Sequence, residues 1–169
     1  MKRLYLLRHA KSSWDEPGLP DRDRPLAPRG RRASKVMADH LRDERIAPEL
    51  VLCSPSQRTR ETLERIGLDQ RSKVRIEDDI YGASPADLLD LLRRVPDDLE
   101  SAMLIGHNPA MQELALSLAE TGADRERMRQ KFPTAALATL ELDGSWTELA
   151  PGGAELVAFV KPKELSGSV

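Results

Sequence analysis

The chain has 169 residues, 40% of them hydrophobic, and a formal net charge of −2 from 26 basic and 28 acidic side chains. That length predicts one domain, 1–169, able to bury a sizeable core, and the near balance of charge argues against a nucleic-acid binder, which is usually strongly basic. The single cysteine, Cys53, excludes an internal disulfide and a Cys-rich zinc site.

The apolar part of the N-terminus, Leu4 to Leu7, is too short for a signal peptide, and no run approaches a membrane span. A cytoplasmic protein with no membrane partner is expected. Leu4–Leu7 reads as a buried strand that stops at Arg8-His9. Five residues, Pro17, Gly18, Pro20, Pro25 and Pro28, make the stretch from Trp14 to Pro28 a loop. A helix should start at Pro28 or Arg29 and run to about Arg45, with Val36, Met37 and Leu41 on one face and His40 at the surface. Leu50–Cys53 is the next strand. Cys53 at its end is expected to be buried and inert rather than a catalytic thiol. Ser54-Pro55 resembles an N-cap and first-turn proline of a helix that reaches Gly67.

A short strand is expected at Val74–Ile76. Ser84-Pro85 repeats the capping pattern, and Leu88, Leu89, Leu91 and Leu92 mark a core helix ending before Pro96. Ala102–Ile105 is a further buried strand, followed by the turn Gly106-His107-Asn108-Pro109 and a helix bearing Met111, Leu114, Leu118 and Ala119. Ala135–Leu142 reads as a strand and Asp143-Gly144 as a hairpin turn, with final strands at Trp146–Leu149 and Leu156–Val160. Strand–helix alternation predicts a three-layer α/β/α sandwich on a mostly parallel sheet, with antiparallel strands at one edge.

Open α/β sheets place their sites at the carboxyl ends of the strands. Arg8 and His9 lie there on the first strand, Ser54-Pro55 and Arg58 after the second, and His107 after the strand from Ala102. Two histidines and two arginines, distant in sequence, can therefore share one crevice. Arginine presents a planar fork of donors suited to phosphoryl oxygens, and phosphoryl transfer is catalysed mainly by positioning and charge stabilisation. A neutral imidazole can attack phosphorus and split the reaction through a covalent intermediate. Helix N-termini after Ser54 and Asn108 should add N–H groups to the crevice. With no Asp/Glu/His cluster at ligand spacing, no metal and no cofactor are expected.

These residues resemble the histidine phosphatase, or phosphoglycerate mutase-like, superfamily. Arg8-His9-Ala10 is similar to its Arg-His-Gly signature, Ser54 to Thr62 to its second motif, and Leu104-Ile105-Gly106-His107-Asn108 to its third. The small SixA-type phosphohistidine phosphatases are the nearest resemblance: Arg24-Pro25-Leu26 with Arg29-Gly30, and Phe132-Pro133-Thr134-Ala135, resemble their segments. The resemblance covers nearly the whole chain. It implies a phosphoglycerate mutase-like fold, His9 as nucleophile, Arg8 and Arg58 as phosphate clamps, His107 as phosphate ligand and charge stabiliser, and Arg24 as a further phosphate contact.

Three departures stand out: Ala10 where the family has glycine, Lys11 where many mutases have an acidic residue, and no clear general-acid glutamate in Glu77-Asp78-Asp79-Ile80-Tyr81-Gly82. Asp78 is the candidate acid there; otherwise the segment is a solvated acidic turn. A site without an acid suits a P–N bond, because an alkoxide leaving group needs a proton that a protonated imidazole does not. The expected function is a phosphatase acting on protein phosphohistidine. The alternatives are a phosphomonoesterase for a small phosphorylated metabolite and a non-catalytic phosphate-binding protein. The Arg29, Arg31 and Arg32 cluster reads as a solvated helix start, with docking of an acidic phosphoprotein as its other role. The oligomeric state is left open, with a monomer as the default.

Overall fold

The computed structural model describes residues 1–166. Six strands form one sheet in the order β3-β2-β4-β1-β5-β6: β1 Lys2–Arg8, β2 Leu50–Cys53, β3 Lys73–Ile76, β4 Ser101–Gly106, β5 Leu137–Leu142 and β6 Glu155–Val160. β1 pairs parallel to β4, β4 to β2 and β2 to β3, while β5 runs antiparallel between β1 and β6. Six helices accompany it among the described residues: α1 Pro28–Asp43, α2 Gln57–Ile66, α3 Pro85–Arg93, α4 Ala110–Leu118, α5 Arg125–Gln130 and α6 Pro162–Ser166.

The period of two along each strand divides the core. Leu4, Leu6, Leu52 and Leu104 point to a cluster with Leu88, Leu92 and Leu114 of α3 and α4. Tyr5, Leu7, Val51 and Ile105 point the other way, to Met37 and Leu41 of α1 and Ile66 of α2. Near-continuous apolar strands are what a sheet covered on both faces requires, so the α/β/α layering follows from the sequence pattern. β3 is the exception, exposed along its length at the sheet edge.

Cap chemistry sets the helix ends. Pro stands at the first turn of α1, a capping box of Ser84 and Asp87 opens α3, and Gly67 closes α2 with φ 60°. One expected cap is corrected. Ser56, not Ser54, caps α2: its Oγ accepts from the Thr59 N–H at 3.3 Å. Ser54 is thereby free for another partner.

A second correction concerns the end of the chain. Asp143-Gly144 does not make a tight hairpin and Trp146–Leu149 is not a strand. The Leu149 N–H bonds the Trp146 carbonyl at 3.1 Å, so the two apolar residues, three apart, belong to a turn that drops the Trp146 ring into the core. Its Nε1–H donates to the Leu99 carbonyl at 2.8 Å. Two further helices were not expected. α5 buries one side chain, Met128, and α6 has five residues; neither is long or apolar enough to leave a period in the sequence. Among the described residues no helix is long and apolar enough to cross a membrane.

Candidate active site

His9, Ser54 and His107 leave three neighbouring strands at the same end of the sheet. The His9 N–H bonds the Gly106 carbonyl at 3.1 Å and the Ser54 N–H bonds the Ile105 carbonyl at 3.1 Å, so the parallel ladder continues one step past the strands and fixes these residues side by side. The His9 and His107 ring centroids lie 5.3 Å apart. Ala10, in place of glycine, needs no special backbone: it is absent from the positive-φ residues, and its Cβ packs with Leu26, Ala33 and Ala135. Gly30 of α1 makes this close approach possible, since a Cβ there would meet the Lys11 carbonyl oxygen at 2.1 Å.

His9 is 7% exposed, and its Nδ1 lies 2.7 Å from the Ala10 carbonyl oxygen. A carbonyl only accepts, so Nδ1 carries the proton and Nε2 keeps a free lone pair. Burial, with smaller repulsions from His107, Arg58 and Arg8, lowers its pKa to about 3 despite the Ala10 bond. Burial and then Arg58 lower that of His107 to about 4. Arg58 Nη2 faces His107 Nδ1 at 3.4 Å, and a guanidinium can only donate; Nε2 of His107 therefore carries the proton and donates to Ser54 Oγ at 2.8 Å.

These values fix a pH dependence. In the unfolded chain both imidazoles titrate near 6.5, so as pH falls from about 6.5 the unfolded state takes up protons that the folded state refuses. The stability the two groups contribute is complete above that pH and is lost as the pH falls toward 4 and 3. The imidazole proton resonances of His9 and His107 should stay unshifted from pH 8 to 5, and the acid loss of thermal stability should flatten in His9→Ala. A resonance of either histidine with a midpoint near 6.5 would show that it is solvated.

Arg58 stands in the first turn of α2 and is 7% exposed. Its Nη1 donates to the Asp21 carbonyl at 2.8 Å and its Nη2 to Asp21 Oδ2 at 3.0 Å. Arg8 Nη1 donates to the Phe132 carbonyl at 3.0 Å, which also takes a bond from Asn108 Nδ2. Two buried side-chain polar atoms lack a partner among the described residues, and they are Nε of Arg8 and Nε of Arg58. Native proteins leave few such groups unsatisfied, and both guanidinia lie close enough to His9 to depress its pKa.

Asp21 was not found from the sequence. It sits on a short 3₁₀ turn, Asp21–Asp23, inside the expected loop. That loop is stapled at its base by Ser13 N–H to the Pro25 carbonyl and Ala27 N–H to the Lys11 carbonyl. Asp21 Oδ2 accepts from Tyr81 Oη at 2.6 Å and from Arg58, and Oδ1 from Arg24 Nε at 3.3 Å. The Tyr81 bond, with Arg58 and Arg24, holds its pKa at about 2, so it is a fixed anion and not an acid. Arg24 is thus one step from the crevice: its other bonds go to Ser12 Oγ and the Ser13 carbonyl, and its guanidinium stacks 3.5 Å over the Trp14 ring.

Ser54 and Tyr81 were also missed as site residues. The segment 77–82 reaches the site through Tyr81, whose ring meets His107 edge-on at 5.6 Å. Asp78 is exposed and makes no side-chain bond to Tyr81 or His107. Cys53 is fully buried and pushed up to about 12 by burial. Among the described residues no group of three or more His, Cys, Asp or Glu could hold a metal ion.

Known proteins resemble this chain in sequence and fold. A profile of the histidine phosphatase superfamily (branch 1) matches residues 4–84. An uncharacterized protein of Mycobacterium tuberculosis is 39% identical over 161 residues, 93% of this chain and 100% of its own. Phosphohistidine phosphatase SixA of Escherichia coli is 26% identical over 147 residues, 85% of this chain and 87% of its own. A solved structure from Nakamurella multipartitia, assigned as a SixA phosphohistidine phosphatase, superposes with a TM-score of 0.85 at 30% identity, covering 95% of this chain and 96% of that one. With the paired histidines at adjacent strand ends, these likenesses make the chain a SixA-like member of the histidine phosphatase superfamily.

Proposed function

We propose that the chain hydrolyses phosphohistidine on a protein, through a covalent phosphohistidine at His9. The observation that carries this reading is the pair of buried, unpartnered Nε–H donors of Arg8 and Arg58 beside a neutral imidazole with a free Nε2. Arg58 has the Asp21 carboxylate and Arg8 only a backbone carbonyl, and both leave a buried Nε–H unmet among the described residues. Such groups are costly to leave unpaired, and a phosphoryl group supplies the acceptor. The name of the Escherichia coli relative, a phosphohistidine phosphatase, supports the same substrate class.

Nε2 of His9 attacks phosphorus as the bond to the leaving nitrogen breaks. Arg8, Arg58 and His107 bind the oxygens on which charge is spread. The phosphate's charge offsets the burial and the Arg58 repulsion that keep His107 neutral and favours its protonation, so that an Nδ1–H can turn from Arg58 to a phosphate oxygen. Water then takes the phosphoryl group from His9, releasing inorganic phosphate and restoring the imidazole. Asp21 keeps Arg58 aimed but cannot protonate a leaving group. That suits a substrate imidazole, which leaves already protonated, better than an alkoxide.

Phosphoramidate should therefore be cleaved much faster than phosphoserine, with an aryl phosphate as the good-leaving-group control, and activity should persist in excess EDTA. Fast phosphoserine hydrolysis that is lost in Asp78→Asn would make the enzyme a phosphomonoesterase with Asp78 as its acid. Loss of activity in EDTA, restored by a divalent ion, would overturn the metal-free mechanism.

A further inference from the structure

An open groove is lined by Lys11, Arg29, Lys131, Lys161 and Lys163, with Pro133, Thr134 and Pro162 among its other walls. No acidic residue lines it. None of the five cations joins an ion pair among the described residues. In a chain of net charge −2, so one-sided a lining is a local feature of this face.

Topology puts the groove beside the catalytic crevice. β5 is antiparallel to β1, so the segment 131–136 that enters β5 lies at the end where β1 releases His9. β6 is antiparallel to β5, so 161–163 leave it at that same end. Arg58, His107, Asp21 and Tyr81 lie toward β4 and β2, and the groove lies on the opposite side, toward β5 and β6. Lys11 is two residues from His9, and the Phe132 carbonyl that holds Arg8 is flanked by groove residues on both sides. Two residues span at most about 7 Å, so an extended peptide, at roughly 3.3 Å per residue, enters the groove within a few residues of a phosphorylated side chain in the crevice.

We propose that this groove binds an acidic polypeptide stretch flanking the phosphorylated histidine of the substrate. The proposal rests on the phosphohistidine reading above and gives that substrate a recognisable sequence character. Five cations spread along the lining are more than one inorganic anion needs and suit a run of carboxylates. Exposed lysines suit a steering and selecting role more than tight anchoring, so the preference should weaken with salt.

Two synthetic peptides, each carrying one phosphohistidine, test this. One has three Asp or Glu residues beside the histidine and the other has Ser and Gln there. At low salt the acidic peptide should show a KM about tenfold lower, in keeping with several weak surface pairs acting together. The double variant Lys131→Glu, Lys163→Glu should erase that difference while leaving phosphoramidate turnover unchanged. Fluorescence anisotropy of the unphosphorylated acidic peptide with His9→Ala reads the groove without turnover, and binding should again be lost on adding the two glutamates. If neither phosphorylated peptide nor phosphoramidate is hydrolysed, the phosphohistidine reading fails while the anisotropy still decides the groove. Equal KM values for the two peptides, or equal loss of peptide and phosphoramidate turnover in the double variant, would overturn the docking role.

Discussion

Replacing His9 with alanine is expected to abolish turnover, by a factor on the order of 10⁴ or more as for removal of other catalytic nucleophiles, while the protein stays folded. The ring is buried, but its side chain makes one hydrogen bond, to the adjacent Ala10 carbonyl, so no hydrogen bond to a distant element depends on it. The backbone bond from the His9 N–H to Gly106 survives the change. Rapid acid quench of the wild-type enzyme with labelled phosphoramidate would lose the intermediate, whereas alkaline quench should trap a base-stable phosphoenzyme that His9→Ala cannot form. A folded His9→Ala variant with more than a small fraction of wild-type turnover would remove His9 as the nucleophile.

Arg58→Ala should slow the chemical step by about a hundredfold or more, the cost of losing a preorganised donor to developing charge. Arg58 also shields Asp21, whose carboxylate would then face the crevice with Tyr81 and Arg24 alone and repel an incoming phosphate. Arg58→Lys should recover little, because an ammonium cannot donate to Asp21 with two nitrogens and still present an Nε–H to phosphate. Asp21→Asn keeps an acceptor for Arg58 and removes the charge, so its loss should be milder and lie in kcat more than in KM, since it loosens the aim of the guanidinium. His107→Ala should resemble Arg58→Ala. Single-turnover kinetics separate these effects from product release, and near-normal kcat/KM in Arg58→Ala or His107→Ala would remove that residue from the site.

The parts of the fold legible in the sequence are those where local pattern and global need agree. Leu4–Leu7, Leu50–Cys53 and Ala102–Ile105 are short apolar runs that only a doubly covered sheet explains, and they became β1, β2 and β4. Pro28, Gly67 and Ser84 mark helix ends whose cap chemistry is local. Where pattern and packing part, the reading fails. Trp146–Leu149 looks like a strand by composition, yet the burial of one indole decides its path. Ser54 looks like a cap, yet the Ser56 hydroxyl is better placed, 2.6 Å from the Thr59 hydroxyl, while the Ser54 hydroxyl meets His107.

By itself the sequence placed Arg8, His9 and His107 at strand ends and Arg58 on the helix that follows another, in a mostly parallel sheet, because a parallel ladder brings successive strand ends together whatever the loops do. Only the tertiary structure decided what holds them. Asp21 lies 12 residues beyond His9 in a Pro-rich loop, and nothing in its neighbours announces a partner. It reaches Arg58 and Tyr81 because the loop is stapled back onto the His9 turn and α2. The protonation states were equally out of reach of the sequence. A histidine titrates near 6.5 in water, and what lowers His9 to about 3 is desolvation, a property of the surrounding packed atoms that no run of letters contains.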